Sequence, residues 1–342
     1  MYVPDEHMIS TTSLTLRALL SKAVTRTGLD RLPSVLAGLT PSAKALAVVA
    51  SARAQRGVTL VVVPDDRDVE QLTLDARFFY GALEGASAAE IERSVVPFPA
   101  WQVDPYRGMT PHFRIASARA NALHAAASGG ARVVVASAAA LLPLVSTPER
   151  LLASSIDLET GTSIEPQKLA DLLVDAGFTR EDPVDEHGTF TIRGGIVDVF
   201  PAGAAEPVRL EFVGDLIESL RPFNPTNQRS TGALDRVSIV PLRERFDDGE
   251  ALSVLAFLGR AGLMIVASEV EAVVEQIERV HAQLTESYDD AGSRGHVAAG
   301  PPDQLFAPTD AIVARLKQAA QVNELALEDA GIDKNEVDGL VT

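Results

Sequence analysis

The chain has 342 residues, 46% hydrophobic and 23% charged, with 30 Lys and Arg against 47 Asp and Glu and no Cys. At roughly 150 residues per domain this length predicts two domains or three, and the apolar fraction excludes a disordered chain. The missing Cys excludes a disulfide framework, a thiolate zinc site and a Cys nucleophile together. A net charge of −17 sets most of the surface against phosphate backbones, so nucleic acid is a poor first partner. The start lacks the charged and apolar regions of a signal peptide, and no run of about 18 apolar residues offers a membrane span. The expectation is a soluble cytoplasmic protein that makes no membrane contact.

The first stretch reads as α/β. Thr12 to Leu29 places leucines and alanines at helical spacing, ending at Gly28. After Ser34–Thr40 comes an Ala-rich helix from Pro41 to Gln55, then the apolar strand Val58–Val63. A helix from Asp68 to about Tyr80, a strand at Val95–Phe98, a helix from Phe113 to Ser128 and a strand at Val133–Ala136 follow. Fully apolar strands alternating with helices predict a parallel sheet covered on both faces. The pattern changes after Pro148. One amphipathic helix, Gln167–Ala176, precedes alternating segments at Thr189–Arg193, Ile196–Phe200, Val208–Phe212 and Ile217–Phe223. That period predicts a smaller α+β domain whose antiparallel sheet has one solvated face. Beyond Pro241 the α/β character returns: a strand at Leu263–Ala267, a helix at Glu269–Thr285, a mobile loop over Ser287–Pro302, and a last helix N-capped by Thr309 or Asp310. The predicted units are an α/β domain over 1–150, an α+β domain over 151–240 inserted into it, and 241–342 completing the α/β unit.

Gly38-Leu-Thr-Pro-Ser-Ala-Lys44-Ala45, entering a helix, has the outline of the phosphate-binding loop G-x-x-x-x-G-K-[ST]. Gly38 and Lys44 are in place, but Ala43 replaces the second Gly and Ala45 the Mg²⁺-binding hydroxyl. The spacing fits a coincidence and a relic equally well, and fits a working site poorly. Asp185-Glu-His187 mimics a helicase motif but follows a polar segment rather than an apolar strand, so it reads as coincidence. The six His, at 7, 112, 124, 187, 281 and 296, show no metal-like pairing. No G-x-S-x-G elbow is present. Asp65-Asp66 and Asp247-Asp248 read as solvated loop carboxylates, and Trp101 as a loop or core anchor. Arg180, Arg193, Arg209 and Arg221 fall on or beside the short strands of an acidic chain. They form a docking surface for carboxylates, or they are four unrelated surface charges; the sequence admits both.

Three stretches carry a family resemblance: Phe98-Pro-Ala-Trp101 through Pro111-His112, the run Glu186-His-Gly-Thr-Phe-Thr-Ile-Arg-Gly-Gly-Ile-Val-Asp-Val-Phe-Pro201, and Arg209-Leu-Glu-Phe212 through Pro222-Phe223. Together they resemble the N-terminal part of the bacterial transcription-repair coupling factors, which is itself similar to the excision-repair protein UvrB. The resemblance is strong from about Leu32 to Pro241 and looser beyond. It implies a UvrB-like α/β fold interrupted by a domain that docks the damage sensor UvrA. It also implies no ATP or Mg²⁺ for this segment, since the family's motor and polymerase-binding domains, which engage RNA polymerase and double-stranded DNA, lie further along its chains. At 342 residues this chain is expected to be an N-terminal, non-catalytic part. The family's UvrA-contacting positions read here as Phe178-Thr-Arg180, Phe190-Thr-Ile-Arg193-Gly and Arg209-Leu-Glu211-Phe212. Arg180, Arg193 and Glu211 are thereby expected to make charge-assisted contacts, with Phe190 and Arg209 beside them. Two departures stand out: Thr191 occupies the place of a second UvrB Arg, and no Tyr-rich wedge hairpin follows Trp101–Pro111. The alternatives are an ATPase or translocase domain that binds ATP through Lys44, and a DNA-binding module.

Overall fold

The structure is a computed structural model that describes residues 15–246, 249–260, 262–295 and 300–324. Helix α1 (Leu16–Thr27) is capped by the Thr15 hydroxyl and closed by Gly28 at φ 69°; its expected start at Thr12 lies outside the described residues, as do His7, Asp247-Asp248 and His296. Next come β1 (Val35–Leu36), α2 (Pro41–Ala54), β2 (Val58–Val63) and α3 (Asp66–Glu84). Helix α3 starts early because the Asp65 carboxylate accepts from the Arg67 and Asp68 N–H groups. It runs through Gly81, where a Cβ would lie 2.6 Å from Ile91 Cδ1, to a left-handed cap at Gly85. Ile91 belongs to α4 (Ala88–Ser94), a helix held by a Ser87–Glu90 capping box. After it come β3 (Val95–Phe98), α5 (Phe113–Ala127), β4 (Val133–Ser137), β5 (Val145–Ser146) and α6 (Pro148–Ala153).

The middle of the chain forms β6 (Ile156–Glu159), α7 (Pro166–Asp175), β7 (Thr179–Arg180), β8 (Thr189–Arg193), β9 (Ile196–Val199), β10 (Val208–Val213), β11 (Leu216–Pro222) and β12 (Arg236–Ile239). The last part forms β13 (Ala251–Leu252), α8 (Val254–Gly259), β14 (Leu263–Ser268), α9 (Val270–Ser293), α10 (Pro302–Leu305), α11 (Thr309–Lys317) and β15 (Ala320–Val322). Two expectations are corrected here. Residues 287–293 continue α9 instead of forming a loop, because Tyr288 packs on Tyr106 and Ala291 is buried. Helix α11 is capped by Pro308 without a side-chain bond, so Thr309 and Asp310 lie inside the helix.

Strands from both ends of the chain share one parallel six-stranded sheet, in the order β1-β15-β14-β2-β4-β3. Its centre is apolar throughout: all six residues of β2 are buried, paired with β14 on one side and β4 on the other. Helices cover both faces, and two apolar cores result, one around Leu60, Val134 and Ile277, the other around Val61, Val135 and Leu72.

The middle stretch builds its own five-stranded sheet, in the order β11-β10-β9-β8-β7. Phe190, Val197, Val199, Val208 and Leu210 turn toward Leu169 and Leu173 of α7 to form its core. The chain enters through β6 and leaves through β12, and these two strands pair antiparallel, Ile156 opposite Ile239. Helix α5 is shared, giving Ala120 to the small core and Ala122 and Leu123 to the large one. Gly203 (φ 70°) docks so closely on α5 that a Cβ would meet Asn121 Oδ1 at 2.5 Å. The returning chain is fixed by Glu244, whose carboxylate receives two hydrogen bonds from the wholly buried Arg119 of α5. Arg119 also donates to the Pro99 carbonyl at 2.7 Å and stacks over Phe98. With its charge paired and its donors used, this guanidinium tolerates full burial.

Candidate functional site

The outer face of the small sheet is set by register. Strands β8 and β9 form a hairpin with Arg193 opposite Ile196, turned by Gly194 at φ 61°. Gly195 is held tight, since a Cβ there would meet the Phe212 carbonyl oxygen at 3.0 Å. Pairing places Thr191, Asp198, Arg209 and Arg221 in one row across four strands, and Arg193, Ile196, Glu211 and Ser219 in the next. Directly opposed residues share a face, so these rows lie away from the core.

The face is not evenly solvated as the alternation predicts, because Thr191 and Asp198 are buried within it. Asp198 has no exposed surface and is answered by two cations. Arg209 donates from Nε at 2.7 Å and from Nη2 at 2.8 Å, while Arg193 Nη2 donates at 2.7 Å. The two guanidiniums then part company. Arg209 is largely covered, with its Cζ 4.7 Å from the Phe223 ring centre and a further bond to Gln228. The hydrogen bond to Asp198 pushes the Arg209 pKa further above its ordinary value. Arg193 keeps 46% of its side chain exposed and reaches Asp182 at 3.4 Å. Its Nη2 is therefore anchored on a buried carboxylate, while Nη1 meets only the exposed Asp182 at the solvent side. A planar guanidinium held this way is oriented for a second carboxylate without losing further rotamer freedom.

The other expected residues are less united. Glu211 is half-buried at the bulge between Glu211 and Phe212, takes a hydrogen bond from Ser219, and lies 3.7 Å from Arg221. Arg180 is exposed on the edge strand β7, which joins β8 in parallel, and donates to the Ile192 carbonyl at 3.4 Å. Phe190 is 1% exposed in the core, so it shapes the sheet from beneath and does not reach a partner. Asp198 was not singled out by sequence reasoning. The available signal was a lone carboxylate in an otherwise apolar strand, Ile196-Val-Asp-Val199, with arginines on both flanking strands.

The Lys44 loop lies on the large sheet, and its groups are turned inward. Gly38 adopts φ 77°, and the Thr40 hydroxyl accepts from the Ala43 N–H at 3.3 Å. Pro41 has no N–H, so the first turn of α2 presents few donors to an anion. Lys44 is 4% exposed, and its Nζ meets Glu269 at 2.7 Å, Ser268 Oγ at 2.9 Å and Glu324 at 3.2 Å. Glu269 also accepts from the Glu324 N–H and is held at φ 55° by Asn323, which ties the ends of β14 and β15 together. Ala45, where a metal-binding hydroxyl would stand, is buried in the core. His187 of the mimic motif stacks on Phe200 and bonds the Ala204 carbonyl, a packing role. Among the described residues no group of His, Asp and Glu could hold a metal ion, and no helix is long and apolar enough to cross a membrane.

Residues 156–244 match the family model described as the UvrB interaction domain. Over 245 residues, 72% of the chain, it is 26% identical to a transcription-repair-coupling factor of Haemophilus influenzae. It is 34% identical over 192 residues, 56% of the chain, to that of Myxococcus xanthus, and 33% identical over 153 residues, 45% of the chain, to that of Bacillus subtilis. These matches span 20%, 16% and 13% of the relatives' own lengths, so the chain corresponds to a minor part of each. The resemblance read from the motifs is borne out: a UvrB interaction domain set in a UvrB-like α/β fold similar to the coupling factors.

Proposed function

We propose that this chain is a protein-docking module of transcription-coupled repair, and that the outer face of its small sheet recruits UvrA. The observation that carries the reading is the Asp198 cluster, which pins Arg193 from beneath and leaves nearly half of its side chain exposed, beside only the solvent-facing Asp182, within the matched segment. Arg193 is the principal contact, with Glu211 and Arg180 extending the face on either side. Arg209 supports them from within. The chain itself performs no ATP chemistry: Lys44 is engaged by two carboxylates and the hydroxyl position is Ala45. Polymerase displacement, DNA translocation and ATP hydrolysis belong to other parts of the longer relatives. A net charge of −17 favours a protein partner over a nucleic acid.

Calorimetric titration of the chain with UvrA tests the reading. Saturable binding is expected, weakened in Arg193→Ala by roughly 2 kcal/mol or more, with the fold intact. A folded chain that does not bind UvrA contradicts the proposal.

A further inference from the structure

The outer face of the small sheet continues past the row of Arg193 and Glu211 to the tip of its second hairpin. Strands β10 and β11 turn through Gly214, at φ 61°, and place Val213 directly opposite Leu216. One step back, Phe212 lies opposite Ile217. Ile217 is wholly buried and Phe212 packs on the small core. Glu218 is the extra residue of the bulge, so β10 keeps its alternation from Glu211 to Val213. Val213 and Leu216 therefore emerge on the face that carries Arg193 and Glu211, and they are 62% and 46% exposed. Half-buried Ile196 adds apolar surface between Arg193 and Glu211 in the adjoining row.

The tip is braced from two sides. The Phe212 N–H donates to the Gly195 carbonyl at 2.7 Å, which joins the two hairpins. The Ile164 N–H donates to the Asp215 carbonyl at 2.7 Å and the Ile217 N–H to the Thr162 carbonyl at 3.0 Å, so the 160–164 segment holds the turn from its other side. Burying Val213 and Leu216 on a partner orders little that is not ordered already.

Single exposed apolar residues are normal on a protein surface. Two that oppose one another on a braced turn, beside a pinned guanidinium, form a patch. Interfaces concentrate binding energy in apolar anchors and set charges around them. Val213 stands two residues from Glu211 along β10, a step of about 7 Å, so patch and charges fit under one partner surface. The net charge of −17 turns this face away from an anionic lipid surface, and Arg193 selects a partner that brings a carboxylate.

We infer, on the reading that UvrA docks on this face, that Val213 and Leu216 seat an apolar side chain of UvrA while Arg193 takes a neighbouring carboxylate. The two contacts divide the work. Arg193 supplies the part of the affinity that salt screens, and the hairpin tip supplies a part that salt does not screen.

Calorimetric titration of the whole chain with UvrA over a series of salt concentrations separates the two. The parent is compared with the double variant Val213→Ser, Leu216→Ser and with Val213→Thr, which keeps the side chain's shape and adds a hydroxyl. The double variant is expected to melt like the parent and to bind about tenfold or more weakly at every salt concentration. It keeps the parent's salt dependence and shows a less negative heat-capacity change. Val213→Thr is expected to lose a smaller part of the affinity in the same salt-independent way. A double variant that binds with the parent's affinity overturns the inference and leaves the docking reading standing. No UvrA binding by the folded parent overturns both. Affinity that falls only in variants with a lowered melting temperature assigns the tip a structural role and overturns the inference. So does self-association of the parent in sedimentation that the double variant abolishes while it binds UvrA unchanged, since the patch then seats a second copy.

Discussion

The Lys44 and Asp198 clusters solve the same electrostatic problem with opposite consequences. Each buries one charged side chain, Lys44 of α2 and Asp198 of β9, and answers it with two opposite charges. Around Lys44 the partners close the site: Glu269 and Glu324 join two strand ends, and a loop with the outline of a phosphate-binding motif acts as a clasp. Around Asp198 one partner, Arg209, is covered, and the other, Arg193, is left half outside. A buried charge serves as an internal tie when its partners are spent on one another. It serves as a mount when one partner still has donors to offer.

This contrast is sharpest where Asp198 loses its inner partner. Arg209→Ala leaves a fully buried carboxylate with one half-exposed cation and removes the stack on Phe223. Chemical denaturation is expected to show a loss of roughly 3 kcal/mol or more. Lys44→Met comes next, with a loss of about 1–2 kcal/mol, because Glu269 and Glu324 are open enough to take up water once freed. Its response to ATP in calorimetry should match the parent's, and an ATP affinity that the variant abolishes would restore a nucleotide site. Arg193→Ala should change stability by under about 1 kcal/mol, since Arg209 still neutralises Asp198 and Arg193 is half-exposed. The smallest effect is on the alkaline limb. Burial pushes the Tyr106 pKa up to about 12 and favours the protonated phenol in the fold, so its contribution is complete below about pH 10 and is lost as pH rises toward 12. Tyr106→Phe is expected to flatten that part of a stability-versus-pH curve.

Much of the large sheet was legible because its strands are apolar runs that periodicity cannot hide. Val58–Val63 and Val95–Phe98 are found where the residues place them. Helix α4 was missed because a capping box and seven residues give little periodicity. The helical end of α9 was missed because Ser287, Asp289, Asp290 and Gly292 read as a loop, while contacts to Tyr106 hold it helical. Strand β7 was invisible for a related reason, since two exposed residues pair only through tertiary placement. For the proposed docking face, the arginines were legible and their division of labour was not. Register decides that Arg193 and Arg209 converge on Asp198, and burial decides which of them remains open. Phe190 alternates with the outer residues and so belongs to the core, a consequence of the two-residue strand period.

The most direct test compares UvrA affinity for Arg193→Ala and Lys44→Met in one calorimetric series with the parent. Docking through the Asp198 face predicts that Arg193→Ala loses roughly 2 kcal/mol or more of binding while keeping its stability, and that Lys44→Met loses stability while binding like the parent. The reverse pattern, with UvrA affinity falling at Lys44 and unchanged at Arg193, would contradict it.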